Sequence, residues 1–429
     1  MSGEVKVTPM HALGVLRNAP FRRYVIGSLI SDTGSWMQVM AQGWVMATLT
    51  QKAIWLGMAN LAAGLPMLLL TIVGGAAADR FDKRKILLIT QFVQIGIACG
   101  IGFLVLKGRI EIWEILVFAT LLGISNSFEM PTQSALVPEL VGRSDIQNGI
   151  SIDRSVFHGS RVIGPTVGGY LINWLGLASA FFANALSFFA LIVAILSLPP
   201  RAKGTAEEES RRTSGIKDGF RFVAKDKPSR AMVTLIATQS LCIFPIITVM
   251  MPLYVRTVLG LGAGAYGNLM GASAIGSLVG SIFLIGLPRA KRIPLMMVNT
   301  IAISAVIIGL SFAPSFYVAM ALLIVNSLGL ATNFGLCSTI VQERAPDYLR
   351  GRVSAVFMLS FVGIIPFAGL GITSLSDRIG MPTALVIAAI AYGAISLFVL
   401  ARVRKDCAEP GMCETKIGTP AAPSAAATV

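Results

Sequence analysis

The feature that most constrains this chain is a recurring run of about 20 apolar residues, the length a helix needs to cross ~30 Å of hydrocarbon. Twelve such runs lie between charged punctuation, at 24–48, 54–78, 86–106, 112–135, 148–173, 178–198, 231–256, 265–287, 293–312, 315–338, 352–375 and 381–402. They are continuous rather than alternating, which argues against strands. In lipid, a helix satisfies its backbone groups internally, whereas an open sheet edge does not. Composition agrees: the chain is 55% hydrophobic and 13% charged, more apolar surface than 429 residues can hide from water. The expected class is an all-α membrane protein with twelve spans in two six-helix bundles.

Charge placement gives an orientation. If both termini are cytoplasmic, the inner segments hold 28 of the 35 Lys and Arg, and the outer loops hold five (Lys52, Lys107, Arg109, Arg256, Arg378). That asymmetry is the positive-inside pattern of a multi-pass protein in a bacterial inner membrane. Trp55, Trp113 and Trp174 fall near the outer ends, where indole favours the interface. The first twenty residues lack the apolar core and cleavage site of a signal peptide, so the first span is expected to be retained. The net charge of +14 does not indicate a nucleic-acid partner, because no soluble domain carries a basic, aromatic-interleaved face. Five scattered cysteines and two histidines offer no metal cluster, and no cofactor is expected. There is no P-loop, no Gly-x-Ser-x-Gly and no His/Asp cluster, so neither an ATP-driven pump nor an enzyme is expected.

The domain reading is a first bundle over 1–198, a cytoplasmic linker over 199–230, a second bundle over 231–404 and a disordered cytoplasmic tail over 405–429. Within the linker, Ile216, Phe220 and Val223 recur at helical spacing among Lys217, Asp218, Arg221 and Lys225, the pattern of a short amphipathic helix. The two halves echo each other at an offset of roughly 210 residues. Gly57, Ala62, Gly64 and the basic turn Lys83-Arg84-Lys85 are matched by Gly267, Ala274, Gly276 and the turn Arg289 to Arg292. Such repeats point to alternating access around a site near the midplane.

Two motifs make the resemblance specific. The segment with Gly75, Asp79, Arg80, Arg84 and Lys85, between the second and third spans, resembles the cytoplasmic signature of the major facilitator superfamily, with Asp82 where that signature has its second glycine. Gly164, Pro165, Gly168 and Gly169 in the fifth span look like the superfamily's antiporter signature. Ser160-Arg161-Val-Ile-Gly164-Pro165 and the turn Arg350-Gly351-Arg352-Val353 resemble its drug and siderophore exporter branch, which includes the enterobactin exporter and drug:proton antiporters. The arginine many drug antiporters carry in the fourth span is absent, and Asn126 to Glu129 occupy that region. The resemblance implies a monomer and a gating role for Asp79, capping the N-terminus of the eleventh span. Plain basic anchoring to lipid headgroups accounts for Arg80, Arg84 and Lys85 equally well.

Charges inside the apolar spans carry the site expectation. Asp32, Glu129, Arg154, His158 and Arg161 all belong to the first half, and Arg154, His158 and Arg161 share a helix face at i, i+4, i+7. An isolated charge at bilayer depth costs ~2.5–3.5 kcal/mol or more, so these groups are expected to face a cavity or one another. Asp32 shares its span with Ser28, Ser31, Ser35, Gln38 and Gln42 along one polar stripe, and with Trp36 and Trp44. A buried network in which Asp32 or Glu129 exchanges a proton during the cycle is one reading; a structural ion pair stapling spans 1, 4 and 5 is the other. The second half offers only Thr234, Thr238, Gln239, Asn326, Thr332 and Asn333. The expected function is proton-coupled export of a hydrophobic or amphipathic small molecule, with membrane lipids as neighbours. Uptake or uniport, a lipid or lysolipid flippase and a non-transporting sensor remain open.

Overall fold

The computed structural model describes residues 14–142, 145–198, 217–284 and 287–408. Most of the linker, the tail from 409, and Ile216, His11 and Arg143 lie outside the described residues. In chain order the helices are α1 (Ala19–Leu49), α2 (Ile54–Arg80), α3 (Lys83–Leu106), α4 (Ile112–Leu140), α5 (Ile146–Leu175), α6 (Ser179–Leu196), α7 (Lys217–Lys225), α8 (Lys227–Cys242), α9 (Met251–Thr257), α10 (Ala263–Ile282), α11 (Arg289–Ser311), α12 (Phe316–Arg344), α13 (Arg350–Val362), α14 (Ile365–Ile379) and α15 (Met381–Ala408). Among the described residues, nine segments are long and apolar enough to cross a membrane. The other three long helices, α1, α5 and α10, fall short because they carry the intramembrane charges and polar stripe (α1, α5) or a glycine-rich sequence (α10). These three pack on one another, α5 lying against both α1 and α10. Polar and small residues thus collect where helix meets helix.

Two of the expected continuous spans are interrupted. The seventh breaks after Cys242 at Pro245 into a π-helical turn (Ile246–Met250), which leads into α9 with Pro252 in its first turn. The eleventh splits between Val362 and Ile365 ahead of Pro366. In each case a proline lacks the N–H that would continue the ladder. The linker helix forms over Lys217–Lys225 but docks on α13 by Gly219 and Val223, while Phe220 points outward at 47% exposure. Asp218 pairs with Arg352 at 2.6 Å, and Asp226 takes both 2.7 Å hydrogen bonds of the Arg344 guanidinium fork. Burial works against ionising Asp226, but hydrogen bonds from Arg344 and Ser229 outweigh it and hold the carboxyl below its usual range. A depressed folded pKa contributes stability above about pH 4 and loses it as pH falls through the depressed value.

The packing repeats as the sequence does. In the first half α1 lies on α5 and α6, α2 on α4, and α3 on α4 and α6; in the second, α8 lies on α13, α14 and α15, α10 on α12, and α11 on α12 and α15. The two sets meet chiefly through α5 on α10 and α2 on α14. The meeting is confined to one end. There a single buried core runs through both sets, from Met40, Trp44 and Leu56 to Met250, Tyr254, Tyr266 and Ile372. Toward the end carrying the basic turns, each set has its own core, Phe21, Tyr24, Leu87 and Ile195 in one and Met232, Val353, Phe357 and Leu400 in the other. The molecule is joined at one end and parted at the basic end.

Polar contacts reinforce the joined end. Both oxygens of Asp377, at the C-terminal end of α14, accept backbone N–H groups at the start of α2, from Ala53 at 2.7 Å and Ile54 at 2.9 Å. Asn60 donates to the Ile365 carbonyl at 3.3 Å, Arg256 donates to the Ala47 carbonyl, and Trp44 stacks on Tyr266 with centroids 6.0 Å apart. A carboxylate capping a helix N-terminus contributes about 0.5–2 kcal/mol. Replacing Asp377 by Ala is therefore expected to loosen this end severalfold. The check is a spin-label distance between Lys107→Cys and Phe312→Cys, whose distribution should broaden and lengthen in the variant.

Candidate functional site

The stripe of α5 that carries the predicted residues continues in both directions. Arg154, His158, Arg161, Pro165 and Gly168 follow one another at i, i+4, i+7, i+11 and i+14, one face of the helix. At its C-terminal end this face is wedged between the halves. A Cβ on Gly164 would lie 2.5 Å from the Thr33 carbonyl oxygen of α1, and one on Gly169 would lie 2.9 Å from the Ala263 carbonyl oxygen of α10. On the α10 side, a Cβ at Gly267 would run into the Pro165 carbonyl. The signature residues Gly164, Pro165, Gly168 and Gly169 thus permit backbone contact with α1 and α10. Toward the basic end the walls separate, and the same face, now bearing Arg161, His158 and Arg154, looks into the gap between them. Arg154 and His158 are exposed there and Arg161 is partly exposed.

Arg161 is the sixteenth of the thirty residues of α5 and sits at mid-helix. Its guanidinium lies 5.4 Å from the centre of the Trp36 ring. Phe157 stands edge-on to Trp36 at 5.7 Å and to His158 at 5.7 Å. Among the described residues no ion pair reaches Arg154 or Arg161. A cation–π contact contributes about 0.5–2 kcal/mol. A charge at bilayer depth costs ~2.5–3.5 kcal/mol or more, so the tryptophan alone does not offset Arg161.

Among the described residues the acids form no salt bridge with the arginines, although Asp153 lies beside Arg154 and feels its charge. Glu129 accepts from three amides: Gln91 at 2.7 Å, Gln133 at 2.9 Å, and Gln94 through a short contact. Gln91 in turn accepts from Ser31 at 3.4 Å, and Gln94 donates to Ser125 at 3.1 Å and Asn126 at 3.4 Å. This network ties α1, α3 and α4 together through side chains. Asp32 is partly exposed and has no hydrogen-bond partner among the described residues. Its charged neighbours are Glu129 and Asp153, while those of His158 are Arg161 and Arg154. The five expected residues therefore assemble on one side of the gap, but as an acidic patch and a basic patch, with no salt bridge between them.

Other expectations part company with the structure. Ser28, Ser31 and Gln38 are buried, and Gln38 accepts from Asn184 of α6 at 2.6 Å, so much of the polar stripe of α1 binds neighbouring helices. Ser35, Trp36 and Gln42 remain partly exposed. In the second half Gln239 donates to the Leu330 carbonyl at 3.3 Å, Thr332 to that of Leu328 at 2.8 Å, and Asn333 to the Tyr392 hydroxyl at 3.3 Å. Thr238 donates to Thr234, Asn326 is buried, and only Thr234 is exposed. At the basic end Gly75 has open space beside it, and Asp79 and Arg80 are exposed on the last turn of α2. Asp82, standing where the signature has glycine, caps α3 by accepting from the Arg84 N–H at 2.9 Å. Arg84 is partly exposed and Lys85 exposed, while Lys83 pairs with Glu139 at 2.7 Å.

Sequence reasoning did not single out Gln91, Gln94, Asn184, Asp153, Phe157 or Asp377. Gln91 and Gln94 had a signal, two amides at i, i+3 inside an apolar run, which in lipid need a polar partner on an adjacent helix. Glu129→Leu leaves the buried Gln91 amide without its acceptor and takes one acceptor from Gln94, and is expected to cost about 1–3 kcal/mol. Glu129→Gln keeps an acceptor and is expected to lose less. Thermal unfolding of the two variants in detergent checks this ordering.

A family profile described as transmembrane secretion effector matches residues 10–416. The staphyloferrin A transporter of Staphylococcus aureus is 25% identical over 365 residues, 82% of this chain and 89% of that protein. The multidrug efflux pump Tap of Mycolicibacterium fortuitum is 26% identical across 79% of this chain and 85% of its own length. The enterobactin exporter EntS of Shigella flexneri is 24% identical across 92% and 95%. Among solved structures, a bacterial homologue of the human lysosomal transporter Spinster, inward-facing and occupied, superposes with a TM-score of 0.70 at 12% identity, over 90% of this chain and 97% of that one. The nucleoside transporter NupG superposes with a TM-score of 0.70 at 11% identity, over 90% and 99%. With the family match spanning nearly the whole chain, this protein belongs to the transmembrane secretion effector family of the major facilitator superfamily and is a multi-pass transporter of the bacterial inner membrane.

Proposed function

We propose that this chain exports hydrophobic or amphipathic small molecules by proton antiport with alternating access. The observation that carries the reading is Asp32, a carboxyl inside a membrane helix, without a hydrogen-bond partner among the described residues and next to two further acids. A carboxyl at bilayer depth that no neighbour ties down is placed to exchange a proton as access to it alternates. The relatives that are named as efflux or siderophore transporters support the export direction. In this reading α1, α5 and α10 join the nine apolar segments to make twelve spans, both termini are cytoplasmic, and the basic end faces the cytoplasm. The bundles are 1–198 and 231–404, joined by the linker 199–230, and the protein works as a monomer among bilayer lipids. Asp79 with Gly75, Arg80, Arg84 and Lys85 closes the cytoplasmic side in the other half of the cycle.

The test uses everted vesicles, a pH-sensitive dye and a panel of lipophilic cations, macrolides and catecholate siderophores. A transported compound should collapse the pH gradient with the native protein. Asp32→Asn should bind the compound and leave the gradient standing. If no compound that binds the native protein moves protons, the antiport reading fails.

A further inference from the structure

The intramembrane charges are not distributed as a proton relay alone requires. Glu129 has its carboxylate occupied by Gln91, Gln94 and Gln133. On the same wall, Arg161 has a tryptophan face and no carboxylate. Arg154 and His158 extend the basic character toward the open end of the gap, on the continuation of the stripe that Pro165 and Gly168 wedge shut at the other end. Phe157 and Trp36 supply aromatic edges and faces between the cations. In the opposing half the expected polar residues are mostly spent on internal hydrogen bonds.

A cation left unpaired at mid-membrane depth, beside aromatic rings and facing a gap, lacks an anion. An anionic group on a flat aromatic body fits this wall, its negative charge on the guanidinium and its ring against Trp36 and Phe157. We infer that the substrate class of this transporter is anionic and aromatic, read by Arg161 with Trp36 and drawn in by Arg154 and His158. The inference rests on the transport reading above and sharpens it, since the guanidinium beside Trp36 favours an anion over a lipophilic cation of the same shape. Arg161 is then a binding residue. Its guanidinium fork matters beyond its charge, because it can hold a carboxylate by two parallel hydrogen bonds.

The experiment is a matched pair of probes, 2-naphthoate and 2-naphthylmethylammonium, titrated calorimetrically into the full-length protein in lipid nanodiscs, with empty nanodiscs subtracted. The native protein is expected to bind the carboxylate about tenfold or more tightly than the ammonium compound, as opposite charges in a partly desolvated site imply. Arg161→Gln should erase the preference, and Arg161→Lys should restore part of it. Equal affinities, or a preference for the ammonium probe, in the native protein overturn the inference without need of any variant. A preference that survives Arg161→Gln overturns the role of Arg161. Proton flux in proteoliposomes separates the two readings. Selective naphthoate binding without coupled flux keeps the anion selectivity and fails antiport, whereas flux driven by the ammonium probe keeps antiport and fails this inference.

Discussion

The rest of the structure depends on the closeness with which α5 meets α10 and α1 at one end of the bundle. No hydrophobic effect drives helices together in lipid, so that contact must come from packing and hydrogen bonds between bare backbones. Gly164 and Gly169 allow it on the α5 side, and Gly267 on the α10 side. Away from that contact each half keeps its own core, and the gap opens toward the basic turns. The same helix face is then glycine and proline where it must be narrow, and arginine and histidine where it looks into space. A bulky side chain in place of Gly267 would move the gap as much as the seam.

Charge inside the bilayer is placed with similar economy. Several buried polar side chains of the first half bond to an adjacent helix: Gln38 with Asn184, Ser31 with Gln91, Gln94 with Ser125. These bonds fix neighbours and remove the groups from the gap. What remains facing it is Asp32 on α1 and the basic face of α5, charges with no bond to each other. A stapling ion pair between acids and arginines would have cancelled both fields. Its absence among the described residues leaves one patch of each sign, an arrangement that suits a site where a proton and an anion are handled by different groups.

Much of this was legible in the sequence. Apolar runs located the long helices, the repeat offset anticipated the repeated packing, and the i, i+4, i+7 spacing put Arg154, His158 and Arg161 on one face. Periodicity, however, names a face without naming what stands opposite it. Gln38 and Asp32 both lie in the polar part of α1, yet one meets Asn184 and the other meets no hydrogen-bond partner. Gln239 and Asn333, among the polar residues the second half offered, are held by internal hydrogen bonds. The breaks at Pro245 and before Pro366 were visible as residues but hidden inside runs apolar enough to pass as single spans. Asp377 carried no signal of its role, because its partner is a helix terminus more than three hundred residues away.

Asp377 also shows what kind of closure this is. Apart from the apolar core, the seam is held by hydrogen bonds to backbone groups at or near helix ends: the N–H groups of Ala53 and Ile54, the carbonyl of Ala47, and the carbonyl of Ile365. Asp377 is exposed, so water can replace its bonds when the seam parts, and little is lost in the exchange. A buried ion pair at that place would resist opening far more, since separating it strands a desolvated charge. An Asp-Arg pair ends each of two helices that pack on one another across the halves, Asp377-Arg378 on α14 and Asp79-Arg80 on α2. At the joined end the first of these caps a helix of the opposite half. If the other carboxylate does the same when the basic end closes, the two ends are held by one device in alternation, and neither state is locked.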